Sequence, residues 1–537
     1  MNISTWKPGI TPQSNTVYTA DRKIYDIYPE DAKETIPCWW SSFVSDDQPL
    51  KAAFVFRKLE NVTIDLGGAK LVFHGRILPF AVYDCSNITF RNFSIDYDRP
   101  FYTEGTILES GARSVVIQIP ELFTYRIEGH DFIAMGETWE HRLVAGDMLF
   151  RCMNPETGRP SSGTILGLIG DKIYPWDNPP LPIHHLYADD LGNHCVRIWN
   201  LPESFRPPVG HILAMTHEDR RKTGFLLERD TDTVIEHVRL YHVGAMGLTA
   251  NLCHNISVND YSMFPDKDCP NRHITINADG FHAFHCTGLM KIENCRFENL
   301  LDDAVNIHGN YLVCISNPDS KTLITKNRPA GIKGMEYFLP GDSMVAYRKN
   351  TKEIRAKGII DSAAYSPGDK SVIKIILKNE LTERVEPGDF IENLRMPDIE
   401  IRNCRTNAAG GFRISSGKHV LIEECQFETE GFSILFSGDM DYWYENTGVK
   451  DVTIHNCTFE RCGSPLQTEC GFQPTAAAPY YHENIHFLDN TVHAPIQAVM
   501  NMKDVNGIEL RGNRITGLRE GQLPFILQDC SHVYITY

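Results

Sequence analysis

The segment LMKIENCRF, residues 289–297, alternates apolar and polar side chains from Met290 to Glu293 before it reaches an Asn-Cys pair. Period-two alternation over a few residues predicts a short β-strand with one buried face. Such a strand is too short to bury that face by itself. The rest of the chain must therefore supply neighbouring strands of the same kind.

Further segments repeat this pattern of an alternating strand followed by a polar residue, which is Asn in most copies. They are NITFRNFSI (87–95), NISVNDYSM (255–263), DIEIRNCRT (398–406), VLIEECQF (420–427), DVTIHNCTF (451–459), NIHFLDNTV (484–492) and GIELRGNRI (507–515). The spacing is 21 residues between Asn403 and Glu424 and 23 between Asn490 and Asn513. This period predicts an all-β chain folded as a right-handed parallel β-helix, whose stacked coils complete one another's core. A β-propeller would need a period of about 40 residues.

Cysteine recurs at one place in four copies of the repeat, IENCRF, IRNCRT, IEECQF and IHNCTF. A free thiol packs as a small hydrophobic group, so we expect these cysteines to fill the core and not to form disulfides. The 15 cysteines show no CxxC pair and no clustered ligand spacing. We therefore expect neither a metal centre nor any other cofactor.

Two segments interrupt the repeat and are predicted to be inserted β-modules. The second begins directly after LLDDAVNIHG, residues 300–309, and we expect it to form a wall of a pocket beside that coil. The predicted order is N-terminal β-helix coils at 1–100, an inserted β-rich module at 101–225, site-bearing coils at 226–310, an inserted β-barrel-like module at 311–396 and C-terminal coils at 397–537.

The charge and hydropathy of the chain exclude several classes of partner. The 537 residues include 69 acidic and 52 basic side chains, a formal net charge of −17, which repels phosphate backbones and makes nucleic acid an unexpected partner. No window approaches the roughly 20 apolar residues of a membrane span, and the first residues lack a signal-peptide pattern. We expect a soluble protein that is cytoplasmic, or secreted or periplasmic if a leader has been removed. A homodimer is left open.

A second strand in each coil can be aligned through its glycines. The aligned segments are ADGFHAFHC (278–286), DDAVNIHG (302–309), AGGFRISSG (409–417) and TEGFSILFSG (429–438). In this alignment Phe281, Val305, Phe412 and Phe432 share one inward column, and Ala283, Ile307, Ile414 and Ile434 share another. The column between them holds His282, Asn306, Arg413 and Ser433, and alternation turns it outward. This polar row is a candidate binding face.

Three aspartates stand just before these strands. Asp279 precedes Asp303 by 24 residues, and Asp302 lies one residue earlier. If 24 residues make one coil, the backbones of Asp279 and Asp303 lie about 4.8 Å apart. Mutual repulsion would then keep one carboxyl group protonated while another acts as a base. A proton donor and a water-activating base are what glycoside hydrolysis needs, and the spacing alone leaves inversion and retention open.

The block ADGFHAFHC…LLDDAVNIHG, with GGFRISSGKHVLIEEC and FSILFSGDMDYWYENTGVKDVTIHNCTF after it, resembles glycoside hydrolase family 110. Members of that family are bacterial α-1,3-galactosidases, which remove terminal galactose from blood-group-B and related linear α-galactosyl structures. The likeness runs from about residue 226 to the end. It implies a β-helix with insertions, an inverting mechanism, no required metal and catalytic aspartates at Asp279, Asp302 and Asp303.

Analogy with the β-helical polygalacturonases assigns Asp302 as the acid and lets Asp279 and Asp303 hold the water. Further candidates for binding the substrate, a galactose-terminated oligosaccharide or glycoconjugate, are His282, Asn306, His308, Arg413, Trp443 and Glu445. Trp443 would pack against the apolar face of a sugar. Two alternatives stay open: a polygalacturonase-like pectin hydrolase, and a noncatalytic carbohydrate-binding β-helix.

Overall fold

The computed structural model describes residues 1–40, 49–142, 148–160, 166–169, 172–174, 181–182, 186–203, 205–217, 220–327, 334–440 and 443–536. These residues form β-strands and no α-helix. None of the described residues therefore belongs to a helix that could cross a membrane. The predicted all-β, right-handed parallel β-helix with inserted β-rich modules is confirmed.

Three parallel sheets run along the β-helix. The long sheet holds the repeated segments, in strands Asn2–Thr5, Thr16–Thr19, Ile24–Ile27, Glu60–Phe73, Ser86–Tyr97, Thr231–Leu240, His254–Ser262, Thr287–Glu293, Pro397–Arg402, His419–Glu423, Asp451–His455, His482–Leu488, Val505–Arg511 and Ser531–Thr536. The short sheet consists of Arg296–Phe297, Arg405–Thr406, Gln426–Phe427, Thr458–Glu460, Thr491–His493 and Arg514–Thr516.

The site sheet, which is the third of these sheets, carries the candidate residues. Its strands are Glu34–Ile36, Leu50–Arg57, Ile77–Tyr83, Phe225–Glu228, Leu248–Asn251, Phe281–Phe284, Asp303–Asp319, Gly410–Ile414, Phe432–Phe436, Ser464–Thr468, Met500–Lys503 and Phe525–Gln528. All adjacent pairs are parallel except the first.

Two antiparallel regions interrupt the coils. The first contains Tyr102–Ser110, Ser114–Gln118, Met148–Asn154, Arg159–Pro160, Leu166–Ile169, Lys172–Tyr174, Leu181–Pro182, Tyr187–Gly192, Cys195–Trp199 and Ile212–Thr216, with a separate sheet of Tyr125–Glu128, Asp131–Met135 and Glu140–Arg142. The second contains the far end of Asp303–Asp319 and the strands Thr322–Lys326, Ser343–Tyr347, Ile354–Ser366, Asp369–Leu377 and Phe390–Asn393. A short strand, Glu445–Asn446, pairs with Gly309 and Asn310.

The asparagines of the repeat occupy turns that need a left-handed backbone. Asn294 and Asn403 have φ values of 56° and 49°, a region that Asn tolerates better than most residues do. The side-chain amide of Asn403 donates to Oδ1 of Asn294 at 2.7 Å, so the turns also bond to one another. All 15 cysteines are free, and the repeat cysteines are buried, which confirms their packing role.

The register of the site sheet confirms most of the predicted columns. Phe281 pairs with Val305 and Val305 with Phe412, so the polar residues His282, Asn306 and Arg413 follow one another in one row. The fourth member was wrong, since Phe412 pairs with Ile434 and Arg413 with Leu435 instead of Ser433. The turn that leads to this strand is one residue longer than the turn before it, so the glycines do not align.

The polar row is also less exposed than alternation indicated. His282 and Asn306 are buried, because other parts of the chain lie over the site sheet. The strand Glu445–Asn446 pairs with Gly309 and Asn310 and so covers the far end of the polar row. Phe432 is not in the inner column: its ring lies beneath the guanidinium of Arg413, whose central carbon is 5.3 Å from the ring centre. The candidate face is therefore the wall of a recess.

Candidate active site

The structure brings the three predicted aspartates together. Asp279 lies just before the strand Phe281–Phe284, and Asp303 begins the next strand, directly after Asp302. The backbone N–H of Gly280 donates to the carbonyl of Asp303 at 2.9 Å, which fixes the two coils as neighbours. One carboxylate oxygen from each aspartate lies within 4.8 Å of one from each of the others.

Each carboxylate faces a different partner. Oδ2 of Asp303 accepts from Nε of Arg413 at 3.0 Å. Oδ2 of Asp302 lies 2.6 Å from a terminal nitrogen of Arg220, and Oδ2 of Asp279 lies 2.6 Å from Nδ1 of His282. Two of the three acids are thus paired with guanidinium groups and the third with an imidazole.

The surroundings separate the proton affinities of these groups. Burial, followed by the charge of Asp302, raises the pKa of Asp279 well above its ordinary value, while Arg220 and Arg413 oppose this increase without a hydrogen bond to the Asp279 carboxylate. Burial also raises the pKa of Asp303, but here the bonded guanidinium of Arg413 opposes the increase. Of the two buried acids, Asp279 is therefore the one that more readily holds a proton.

Glu445 lies close to three members of the polar recess. Its Oε1 is 3.5 Å from the amide nitrogen of Asn306 and 3.6 Å from Nε2 of His308, and its Oε2 is 3.6 Å from Arg413. Burial would raise the pKa of this glutamate, but the opposing effects of His308 and Arg413 lower it overall. Glu445 is therefore set to be an ionised acceptor.

Some oxygen atoms in this recess are buried without a hydrogen bond. Among the described residues these include Oδ1 of Asn306, Oδ1 of Asn310 and Oε2 of Glu445. A buried acceptor without a partner costs about 1–3 kcal/mol, so a ligand that brings hydroxyl donors would recover that energy. This chemistry fits a polyol such as a sugar.

The two predicted histidines contact one another. Nε2 of His282 lies 2.9 Å from Nε2 of His308, and both rings are buried. Trp443 is half-buried in the loop before Glu445, and its main-chain carbonyl accepts from Asn310 at 3.4 Å. Its main-chain N–H donates to the carboxylate of Asp439, so the backbone of this loop is fixed beside the recess.

Several residues of the site were not predicted from the sequence. The buried Arg151 lies in the first antiparallel region, and Arg220 follows that region. Arg220 contacts Asp302 directly, and Arg151 lies close enough for the charges of Asp302 and Asp303 to act on it. Glu469, two coils beyond Arg413, has a carboxylate oxygen 3.7 Å from the guanidinium of that arginine. No local pattern indicates these contacts, since they depend on how distant segments fold over the sheet.

Gly410 is the one missed residue with a readable signal. It pairs with Asp303 in the site sheet, and its missing side chain leaves the space that the Asp303 carboxylate occupies. A glycine inside a strand often marks a close approach of another group. The glycine in the AGGF segment was therefore a sequence signal for the close approach of another group at this position.

The donor set does not call for a metal ion. The three aspartates are spaced closely enough for a cation, but two are paired with arginines and the third lies against an imidazole. A divalent ion would compete with these pairs.

A second cluster of His74, Asp98 and Glu137 lies elsewhere in the chain. Carboxylate oxygens of Glu137 and Asp26 each lie 3.0 Å from one of the two imidazole nitrogens of His74.

Comparison with known proteins gives consistent matches. Residues 352–515 match the family model described as "Right handed beta helix region". "Alpha-1,3-galactosidase B" of Bacteroides thetaiotaomicron is 30% identical over 522 residues, which cover 94% of this chain and 81% of that protein. "Alpha-1,3-galactosidase A" of Shewanella woodyi is 26% identical over 488 residues, with 89% and 77% covered. "Alpha-1,3-galactosidase B" of Phocaeicola vulgatus is 28% identical over 457 residues, with 81% and 70% covered.

Proposed function

The chain belongs to the family of the α-1,3-galactosidases, and we propose that it is an exo-acting glycoside hydrolase that releases terminal α-1,3-linked galactose. Its substrates are blood-group-B-type or linear α-galactosyl glycans, and its family is glycoside hydrolase family 110. Catalysis uses an acid and a base supplied by Asp279, Asp302 and Asp303, with inversion at the anomeric carbon.

The observation that carries this proposal is the meeting of three carboxylates from adjacent coils, each with its own partner. Hydrolysis of a glycoside needs one carboxylic acid to protonate the leaving oxygen and one carboxylate to activate a nucleophile. A purely structural cluster would gain nothing from burying like charges together. The partners of the two buried acids, Asp279 and Asp303, instead separate the proton affinities of those two groups.

Accessibility supports Asp302 as the acid. Its side chain is 29% exposed, against 6% for Asp279 and 9% for Asp303, so it is the carboxyl group that a departing glycosidic oxygen reaches first. The guanidinium of Arg220, 2.6 Å away, stabilises the carboxylate that forms once the proton has left. Asp279 and Asp303 lie deeper and hold the attacking water.

The spacing of the oxygens supports an attack by water. Two acceptors that share one water, each about 2.7–2.8 Å from it, lie less than about 5.6 Å apart. Oxygens of Asp279 and Asp303 are within 4.8 Å of one another and so can hold a water between them. Inversion is proposed from the family resemblance, since water that attacks directly, without a glycosyl-enzyme intermediate, gives the inverted product. Carboxylate oxygens within 4.8 Å of one another lie nearer the roughly 5–5.5 Å of retaining enzymes than the roughly 6.5–9.5 Å of inverting ones, so the configuration of the first product decides this point.

The surroundings of the acids favour a neutral sugar at the end of a glycan. Arg220 and Glu445 both reach this site from segments outside the site sheet, and segments that cover a β-helix groove suit an enzyme that acts at the end of a glycan. A polygalacturonate chain would need cations for its uronate groups. Arg413 and Arg220 are both committed to carboxylates of the protein.

The test is a comparison of Gal-α-1,3-Gal disaccharide with polygalacturonate as substrates. We expect galactose from the disaccharide only, and a loss of about 10²- to 10⁴-fold in kcat for Asp302→Asn and for Asp303→Asn. Proton NMR of the first product should show β-galactose, and α-galactose would contradict inversion. Digestion of polygalacturonate alone, or full activity in both variants, would overturn the proposal.

A further inference from the structure

His308 begins a chain of contacts whose direction is set by the main chain. Its Nδ1 lies 2.6 Å from the carbonyl oxygen of Gly309. A carbonyl oxygen only accepts hydrogen bonds, so Nδ1 of His308 carries a proton and donates it. In the neutral imidazole the other nitrogen, Nε2, is then an acceptor.

The second contact transmits this assignment to His282. Nε2 of His308 lies 2.9 Å from Nε2 of His282, so the latter must be the donor. Glu445, at 3.6 Å from the same atom of His308, is too far away to replace it as a hydrogen-bond partner. A neutral His282 then has an unprotonated Nδ1.

The third contact reaches the aspartates. The unprotonated Nδ1 of His282 lies 2.6 Å from Oδ2 of Asp279. The two atoms are not aligned as a hydrogen bond, since Nδ1 of His282 is buried without a hydrogen-bond partner. An ionised carboxylate would still be repelled by the nitrogen lone pair at this distance, whereas a neutral carboxyl group avoids that repulsion. The chain of contacts therefore places a proton on Asp279.

A charge-separated alternative, with imidazolium at His282 and a carboxylate at Asp279, is disfavoured by burial. Burial lowers the pKa of His282 and of His308 to about 4, and it raises the pKa of Asp279. Groups of both signs act on these three side chains and partly cancel. They are Arg220, Arg413, Asp302, Asp303 and Glu445, with the neighbouring His285 behind His308.

We propose that His282 and His308 are positioning residues that keep a proton on Asp279, so that Asp303 alone is the general base for the water. This rests on the proposed function and deepens it. The analogy with the polygalacturonases leaves Asp279 and Asp303 in one shared role, whereas the contacts separate them. His282 and His308 act through Asp279 and not through sugar hydroxyls.

The reaction then balances as follows. Asp303 takes a proton from the water as the water oxygen bonds to the anomeric carbon. The bond from that carbon to the glycosidic oxygen breaks, and Asp302 gives its proton to that oxygen. Asp279 keeps its proton throughout, and its unprotonated oxygen accepts the second O–H of the water.

The first test compares D279N with D303N on Gal-α-1,3-Gal. An amide at residue 279 is neutral, like the protonated carboxyl group that it replaces, so we expect kcat to fall by no more than about tenfold, the equivalent of one hydrogen bond to the water. D303N removes the base and should cost about 10²- to 10⁴-fold. Equal losses in the two variants, with active wild-type enzyme, would overturn this inference and leave the proposed function standing.

The second test measures the pH profile of kcat/KM for His308→Leu. Without its acceptor, His282 can turn its proton to Asp279 and favour the ionised carboxylate. That charge repels the carboxylate of Asp303, so the acidic limb should move to higher pH. His308→Gln, whose amide can accept from His282 and donate to Gly309, should restore the wild-type limb.

His242→Gln is the matched control. This buried imidazole also bonds through both nitrogens, to the N–H of Phe101 and the carbonyl of Thr275, but not to an aspartate. The acidic limb of the kcat/KM profile of His242→Gln should stay at the wild-type pH even if the variant is slower. If His308→Leu lowers the rate equally at every pH without moving the limb, the histidines are only structural and the inference is wrong.

Discussion

The carboxylate of Asp303 occupies the space in which a Cβ atom at Gly410 would have to lie. The two residues pair directly in the site sheet although the whole second insertion separates them in sequence. The same carboxylate bonds to Nε of Arg413, three residues further along that strand. The position of the candidate base therefore depends on the absence of a side chain in the next coil.

Gly410→Ala is predicted to abolish activity without unfolding the protein. The added methyl group would displace the Asp303 carboxylate from the guanidinium of Arg413, and the loss in kcat should approach that of D303N, about 10²- to 10⁴-fold. Gly417→Ala is the control, because a Cβ there meets only the flexible side chains of Met396 and Lys450. Equal activity of the two variants would mean that the position of Asp303 is not critical.

Asp279→Asn is predicted to stabilise the protein at neutral pH. A carboxyl group whose pKa is raised on folding binds a proton in the folded state that the unfolded chain, with a pKa near 3.9, has released. The contribution of the Asp279 carboxyl group to the free energy of unfolding is fully present below the unfolded pKa and is lost as the pH rises through the folded pKa. The gain in unfolding free energy of the variant should therefore grow from about pH 4 upwards.

Urea unfolding at several pH values measures this difference. A difference between variant and wild type that stays constant between pH 4 and pH 7 would show that Asp279 titrates alike in the folded and unfolded states. It would also remove one support for the proton placed on that residue.

Lys352→Met is predicted to loosen the second insertion. The ammonium group donates to Oγ1 of Thr447 at 2.8 Å and to the hydroxyl of Tyr311 at 3.1 Å, and it lies 3.5 Å from the fully buried Glu392. Removing it leaves that glutamate without its cation, at a cost of about 3–5 kcal/mol. Because Thr447 follows the Glu445–Asn446 strand, the KM for the disaccharide should also rise.

The double variant Lys352→Met with Glu392→Gln tests whether the lost stability comes from the unpaired charge or from the changed packing. It removes both charges and should recover most of the lost unfolding free energy. A double variant as unstable as the single one would show that packing of the lysine among its aromatic neighbours, and not its charge, carries the contact.

Arg220→Met is predicted to affect leaving groups unequally. Without the guanidinium beside Asp302, the carboxylate formed after proton transfer is less stable, so kcat for Gal-α-1,3-Gal should fall by about tenfold or more. A nitrophenyl α-galactoside, whose leaving group needs little protonation, should lose less. Equal losses for both substrates would argue against Asp302 as the proton donor.

The coil repeat made the main features of the fold predictable. Short strands at a period of 21 to 24 residues have few ways to bury their faces, and the 24-residue spacing correctly placed Asp279 beside Asp303. The Phe432 column failed because a turn one residue longer changes the pairing without changing the visible motif. Alternation shows which side chains share a face, but not turn length.

The partners of the aspartates were less predictable. Arg413 lay in the predicted row, while Arg220 follows a long antiparallel region whose path back to the β-helix no periodicity describes. The burial of His282 and Asn306 likewise depends on segments that cross the sheet from elsewhere. The polar row on the regular coils was found from sequence, whereas Arg151 and Arg220, which lie in or directly after the first antiparallel region, were not.

The most direct measurement is a crystal structure of the Asp302→Asn variant with Gal-α-1,3-Gal. The account predicts the terminal galactose in the recess, its glycosidic oxygen within hydrogen-bond distance of residue 302, and a water between Asp279 and Asp303 facing the anomeric carbon. A disaccharide bound away from these three residues, or an anomeric carbon that no water between those aspartates can reach, would contradict it.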